Sequence, residues 1–240
     1  MNHQGKTDFL QGLKDGVPVG MGYLSVSFSY GVMAVNMGLP VWAAVLISVS
    51  NLTSAGQFAG ITLISAGAPM VEMVLTQLVI NIRYSLMSMS LSQKADATMT
   101  APHRLTTSFV ITDEIFALAS QRPQMLSRYY MYGVGLIPLI SWNLGSLLGA
   151  VAGGLMPEAL RASLNVALYA MFIAIVVPPA RQDRAVLFAA AAAAAGNLLM
   201  RYAPALSRLS PGFAMILCAV IAALAAAALY PVKEAADGDF

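Results

Sequence analysis

The chain has 240 residues, 58% of them hydrophobic and only 10% charged, where an ordinary soluble domain carries about 25% charged residues. Its net charge is +2 and its basic residues are scattered, so it offers no nucleic-acid-binding face. One cysteine, Cys218, excludes an internal disulfide and a cysteine-based metal site, and no metal or cofactor is expected.

The mean hydropathy of +0.72 points to a multi-pass protein of the cell membrane. The expected fold is all-α, a polytopic transmembrane helix bundle of about seven to eight segments with broken helices. It is read as one integral domain over 1–240 with polar tails at 1–15 and 233–240. No short apolar run with a cleavage site precedes the first span, so no removable signal peptide is expected.

A bilayer-crossing helix needs about 20 apolar residues. Val17–Met37 meets this and places Ser25, Ser29 and Asn36 on one face. Pro40–Ser65 is the expected second span. It is interrupted by Ser50, Asn51, Thr53, Ser54, Gly56 and Gln57. Unpaired polar groups in hydrocarbon cost several kcal/mol each, so this cluster must face protein or water. Pro69–Leu91 is the third span. Gln77, Asn81 and Ser85 recur in it at four-residue steps, with Tyr84 and Ser88 beside them. It also carries Arg83, whose insertion costs roughly 2.5–3.5 kcal/mol and marks a functional site. The competing reading gives Ser54 and Gly56 to helix packing and lets Arg83 snorkel to a headgroup. That reading suits Arg83 better than Gln57, and three striped spans in succession favour a shared cavity.

Ser92–Arg104 reads as a polar loop, with His103 solvated. Leu105–Ser120 is short for a span and carries Asp113-Glu114 at its middle. It either crosses as a protein-buried helix or is re-entrant or interfacial. Tyr129–Leu155 is glycine-rich, with small residues four apart from Gly145 to Gly153 and with Pro138 inside it. Ser163–Pro178, Arg184–Met200 and Pro211–Tyr230 are three further expected spans. Either the Gly145–Gly153 face or the run Ala189–Ala195 is expected to dock a small membrane subunit.

Gly16-Val17…Pro40 matches Gly133-Val134…Pro157 at an offset of 117, and Arg83-Tyr84 matches Arg201-Tyr202 at 118. This suggests repeat-like halves at about 16–91 and 133–202, the build of many transporters. The repeat is inverted if Leu105–Ser120 does not cross and parallel if it does; the inverted form is the expectation. Loop charges do not settle orientation, and a cytoplasmic N-terminus is the default. No HExxH, cysteine–histidine cluster or nucleophilic triad is visible, so an enzyme is not expected.

Ser54-Ala55-Gly56-Gln57-Phe58, Asn81-Ile82-Arg83-Tyr84-Ser85-Leu86-Met87, Thr112-Asp113-Glu114-Ile115-Phe116-Ala117 and Trp142–Ala150 together resemble the AzlC family, the large subunit of bacterial branched-chain amino-acid exporters. The resemblance implies a secondary transporter that exports leucine, isoleucine, valine and in some members methionine. It also implies a small AzlD-type membrane partner. On this reading Ser54, Gly56, Gln57, Asn81, Arg83 and Tyr84 bind substrate. A buried Arg83 needs an anionic partner, and Asp113 is the expected one. Glu114 is then the expected proton carrier, though the two acids can exchange roles. Phe58, Phe116, Met87 and Met89 are candidate walls for an apolar side chain. The alternatives are a non-transporting scaffold subunit and a channel for another small solute.

Overall fold

The computed structural model describes residues 3–153, 173, 176–177, 180–202 and 211–231. Apart from Ile173, Val176 and Val177, the span expected at Ser163–Pro178 lies outside these residues, as do Pro157, Glu158 and the tail from Lys233. The described elements are helical, with one isolated bridge between Ala95 and Leu126. The chain divides into two compact units. One takes residues 3–67 and 77–153, and the other takes 68–76 and the described residues from 173 onward.

The spine of the first unit is α1 (His3–Asn36) packed along α7 (Arg128–Gly153). α1 starts well before the expected Val17. Its glycines let the two backbones touch. A Cβ at Gly12 would overlap the Tyr130 carbonyl, and one at Gly31 the Ser146 carbonyl; from the other side, one at Gly149 would overlap the Phe28 carbonyl. The Gly145–Gly153 face is therefore closed by α1 and is not free to dock a subunit. Gly12 meets Val134, Gly16 meets Pro138, Gly20 meets Ser141 and Gly31 meets Ala150. Both numberings climb together, so the helices run parallel. An inverted repeat relating them would set them antiparallel, so the 117-residue match is not of the inverted kind.

α1 closes at Gly38, whose φ of +90° suits glycine. The Leu39 amide then bonds back to the Ala34 carbonyl at 3.0 Å, a Schellman closure. α2 (Val41–Ser50) follows, with its Ala44 carbonyl taking the Tyr30 hydroxyl and Ser48 lying 2.5 Å from Ser146. The chain is then extended through Asn51–Thr53 and re-enters helix as α3 (Ser54–Ser65). α3 returns to the end where α2 began, for Ser65 donates to the Met37 carbonyl at 3.3 Å. Pro40–Ser65 is thus a re-entrant hairpin and not the single span expected. Its arms of 10 and 12 residues reach only about 15–18 Å at 1.5 Å per residue.

α4 (Met70–Gln93) runs, from Gln77 onward, from that hairpin's tip to the end of the unit that carries the N-terminus. A second hairpin enters from there. α5 (Ala101–Ser108) passes inward beside α7, with His103 Nδ1 2.9 Å from the Tyr132 hydroxyl. After Phe109–Thr112, α6 (Asp113–Gln121) comes back along α1 until Arg122 reaches Asp8 at 2.8 Å. Lys94 at the end of α4 caps the returning strand of chain, bonding the Ser120 and Arg122 carbonyls. Leu105–Ser120 is therefore re-entrant.

Among the described residues one helix, α7, is by itself long and apolar enough to cross a membrane. α1 with 34 residues and α4 with 24 have the length but are more polar. Large apolar side chains, among them Trp42, Leu46, Leu78, Ile82 and Leu86, stand on the outside, as a lipid-facing surface requires.

In the second unit α8 (Arg184–Tyr202) packs on α9 (Pro211–Leu229). A Cβ at Gly196 would sit 3.2 Å from Cys218 Sγ, which itself lies 3.7 Å from Met200 Sδ. Cys218 is a small buried core residue.

Candidate functional site

The tips of the two hairpins lie level with the middle of α1 and α7, and the expected site residues gather there. At the first tip Thr53 caps α3. Its hydroxyl accepts from the Gly56 amide at 3.3 Å and donates to Asn81 Oδ1 at 2.9 Å. Asn81 in turn donates to Gln77 Oε1 at 3.0 Å, and Gln77 donates to the Gly56 carbonyl at 2.8 Å. A Cβ at Gly56 would press on the Gln77 amide and on Thr53, so a larger residue there would push the Gln77 side chain aside. The Tyr84 hydroxyl reaches Thr53 Oγ1 at 3.4 Å.

At the second tip Thr112 caps α6 by accepting from the Ile115 amide at 3.4 Å. The Tyr23 hydroxyl lies 2.6 Å from both Thr112 Oγ1 and Glu114 Oε2. Asp113 Oδ2 is 2.9 Å from Arg83 Nη2, with both side chains nearly half exposed. The Arg83 guanidinium also lies 5.1 Å from the centre of the Tyr84 ring.

Two aromatic residues join the tips. Trp142 Nε1 donates to Gln57 Oε1 at 3.2 Å, and its ring meets Tyr23 edge-on at 5.2 Å. The site is thus a circuit of contacts, polar except where the Trp142 and Tyr23 rings meet. It runs from Gln57 through Trp142 and Tyr23 to Glu114, and from the neighbouring Asp113 through Arg83 and Tyr84 back to Thr53. Two half-helix N-termini, where backbone dipoles favour anions, open onto it. α6 carries Asp113 and Glu114 in its first turn, and α3 carries no acid there.

Of the expected substrate ligands, Asn81, Arg83, Tyr84 and Gly56 meet at this circuit, with Ser54 beginning α3. Gln57 is there too, but it is wholly buried, and both ends of its amide are engaged, by Asn51 O and by Trp142. In this conformation it braces the tip. The stripe expected on α1 falls outside the site. Ser25 and Ser29 bond carbonyls of their own helix, and Tyr23, Ser27 and Tyr30 face inward instead. Phe58 is buried against Tyr30 at 5.7 Å and presents no open wall. Met89 and Ile111 instead line a mainly apolar cleft of about 650 Å³ beside the second tip, with Met99, Leu105 and Met131. His103 is not merely solvated, since Arg128 Nη1 lies 2.7 Å from its Nε2.

Residues 18–156 match the family model described as AzlC protein. The chain belongs to the AzlC family. This AzlC chain is 27% identical over 180 residues to the inner membrane protein YgaZ of Escherichia coli, covering 72% of the chain and 74% of that protein. It is 29% identical over 195 residues to an uncharacterized membrane protein of Archaeoglobus fulgidus, covering 80% and 85%. A Helicobacter pylori membrane protein is 28% identical over 153 residues, covering 61% and 66%. No solved structure matches the chain. The protein is accordingly a membrane protein of the AzlC family, and both hairpins fall within the matched residues.

Tyr23, Thr53, Thr112 and Trp142 were not among the site residues expected from this AzlC sequence. The two threonines were legible, since each stands where a helix N-cap belongs in front of a helical run. Nothing in the sequence marks Tyr23, whose partners lie 89 and 91 residues away.

Proposed function

We propose that this protein exports branched-chain amino acids, with proton coupling and together with a small AzlD-type membrane subunit. The observation that carries the reading is the pairing of unlike half-helix ends at one circuit. The acid-free N-terminus of α3, flanked by Arg83, suits a carboxylate. Asp113 and Glu114 at the start of α6 suit an ammonium group. A zwitterionic amino acid needs both. The cleft at Met89 and Ile111 adds an adaptable apolar wall for a branched side chain. Glu114 is the proposed proton carrier, because Asp113 is already held by Arg83. Of the two proposed docking faces the alanine run Ala189–Ala195 is the one retained.

The test is exchange of labelled leucine in proteoliposomes with and without the small subunit. Saturable flux stimulated by leucine on the opposite side supports the reading, and flux without that stimulation favours a channel. No leucine flux with both subunits present refutes it.

A further inference from the structure

The two hairpins and their neighbours are related by more than shape. Thr53 and Thr112 are 59 residues apart, half of the 118-residue match between Arg83-Tyr84 and Arg201-Tyr202. Each caps the returning arm of a hairpin. The hairpins enter from opposite ends, and α4 runs opposite to α1. Each cap hydroxyl is met by a tyrosine from a long helix, Tyr84 of α4 at the first tip and Tyr23 of α1 at the second. Leu52 and Ile111, each just before its threonine and again 59 apart, are buried in one core cluster.

We propose that Tyr23 and Tyr84 are equivalent latches, each holding one hairpin tip shut, so that releasing Tyr23 opens the site toward the N-terminal end and releasing Tyr84 opens it toward the other. The inference rests on the transport reading and deepens it. A hairpin that enters and leaves at one end can uncover the site only toward that end, because its tip is its sole part at mid-depth. The latches differ in two respects. Tyr23 sits 2.6 Å from Thr112 and has Glu114 at the same distance, whereas Tyr84 stands 3.4 Å from Thr53 with no acid in the first turn of α3. In this structure Tyr23 is therefore the firmer of the two latches. A carboxylate at Glu114 accepts a charge-assisted hydrogen bond from the Tyr23 hydroxyl, and protonation of Glu114 removes that assistance. Proton uptake at Glu114 then loosens this latch, leaving its contact with Thr112 in place.

The test uses the full chain with Cys218→Ala and a single reporter, Leu52→Cys or Ile111→Cys, in sealed vesicles. A charged, membrane-impermeant thiol reagent is applied to one face at a time. Losing one hydrogen bond should raise a reporter's modification rate about fivefold to tenfold. Tyr23→Phe should do so at the Ile111→Cys reporter from the N-terminal side, with Leu52→Cys unchanged. Tyr84→Phe should do so at Leu52→Cys from the opposite side, with Ile111→Cys unchanged. The matching variants Thr112→Val and Thr53→Val, which also remove a helix cap, should raise the same reporter from the same side, and Thr→Ser at either site should not; these serve if a tyrosine variant fails to insert. Both variants acting on one reporter or from one side, or neither acting at all, overturns the proposal. The readout needs no substrate, so side-specific opening without leucine exchange would refute the substrate and leave the latches standing.

Discussion

Trp142 Nε1 donates to Gln57 Oε1 at 3.2 Å, and both side chains are buried. This bond ties the tip of the first hairpin to the middle of α7. Trp142→Phe keeps an aromatic but smaller ring and leaves a buried amide oxygen without its donor, and the lost donor alone costs about 1–3 kcal/mol. Gln57→Leu strips the partners from both Trp142 and the Asn51 carbonyl. We expect Trp142→Phe to lower the unfolding temperature in detergent and Gln57→Leu to lower it further. A Gln57→Leu protein as stable as the parent would show that the amide does not brace the tip.

Arg83 and Asp113 join α4 to the second hairpin at 2.9 Å. Because both side chains are nearly half exposed, the coupling should be modest, about 1 kcal/mol or less. Arg83→Gln and Asp113→Asn should each destabilise the protein, and the double variant should cost less than their sum. Strict additivity in thermal unfolding would mean that the pair is not coupled.

Gly149→Ala should destabilise the chain itself. The new methyl would overlap the Phe28 carbonyl in a backbone contact that cannot yield, and overpacking of this kind costs about 1–3 kcal/mol or more. Gly22→Ala in α1 meets nothing within 4 Å and serves as the silent control. Comparing monodisperse yield and unfolding temperature of the two variants, without any partner subunit, decides the matter. Equal behaviour would reopen the Gly145–Gly153 face as a docking surface.

Asp8, near the start of α1 and ahead of its apolar stretch, gives the pH prediction. Burial works against its charge, but hydrogen bonds from Ser127 and Arg122 outweigh burial and hold the carboxyl below its usual 3.8. A carboxyl lowered in the folded state binds fewer protons there than when unfolded. Its contribution is therefore complete above 3.8 and disappears as pH falls through the lowered native value. Asp8→Asn should reduce stability near neutral pH, leaving Arg122 without its anion. The gap from the parent should close in strongly acid solution. A gap that stays constant with pH would assign the loss to packing.

The sequence alone settled the solvent and the family. An apolar fraction of 58% with only 10% charged residues is far from the composition of a soluble domain, and the motifs around Gln57, Arg83 and Asp113 carried the resemblance that the family match then established. The polar cluster from Ser50 to Gln57 also marked an interruption of the apolar run, but the backbone leaves the helix at Asn51–Thr53 and Ser54–Gln57 is already the first turn of α3. What it could not announce was the direction taken after the break. Apolar content along Pro40–Ser65 is the same whether the chain runs through or turns back, and only the contact of Ser65 with Met37 decides. The glycines of α7 posed the same difficulty. Small-residue spacing says that a backbone will come close, not whose, and here it is α1 of the same chain. Tyr23 lay beyond reach for a related reason. A hydroxyl on a helix has no periodicity of its own, and its meaning comes from Thr112 and Glu114, which are neighbours in space alone.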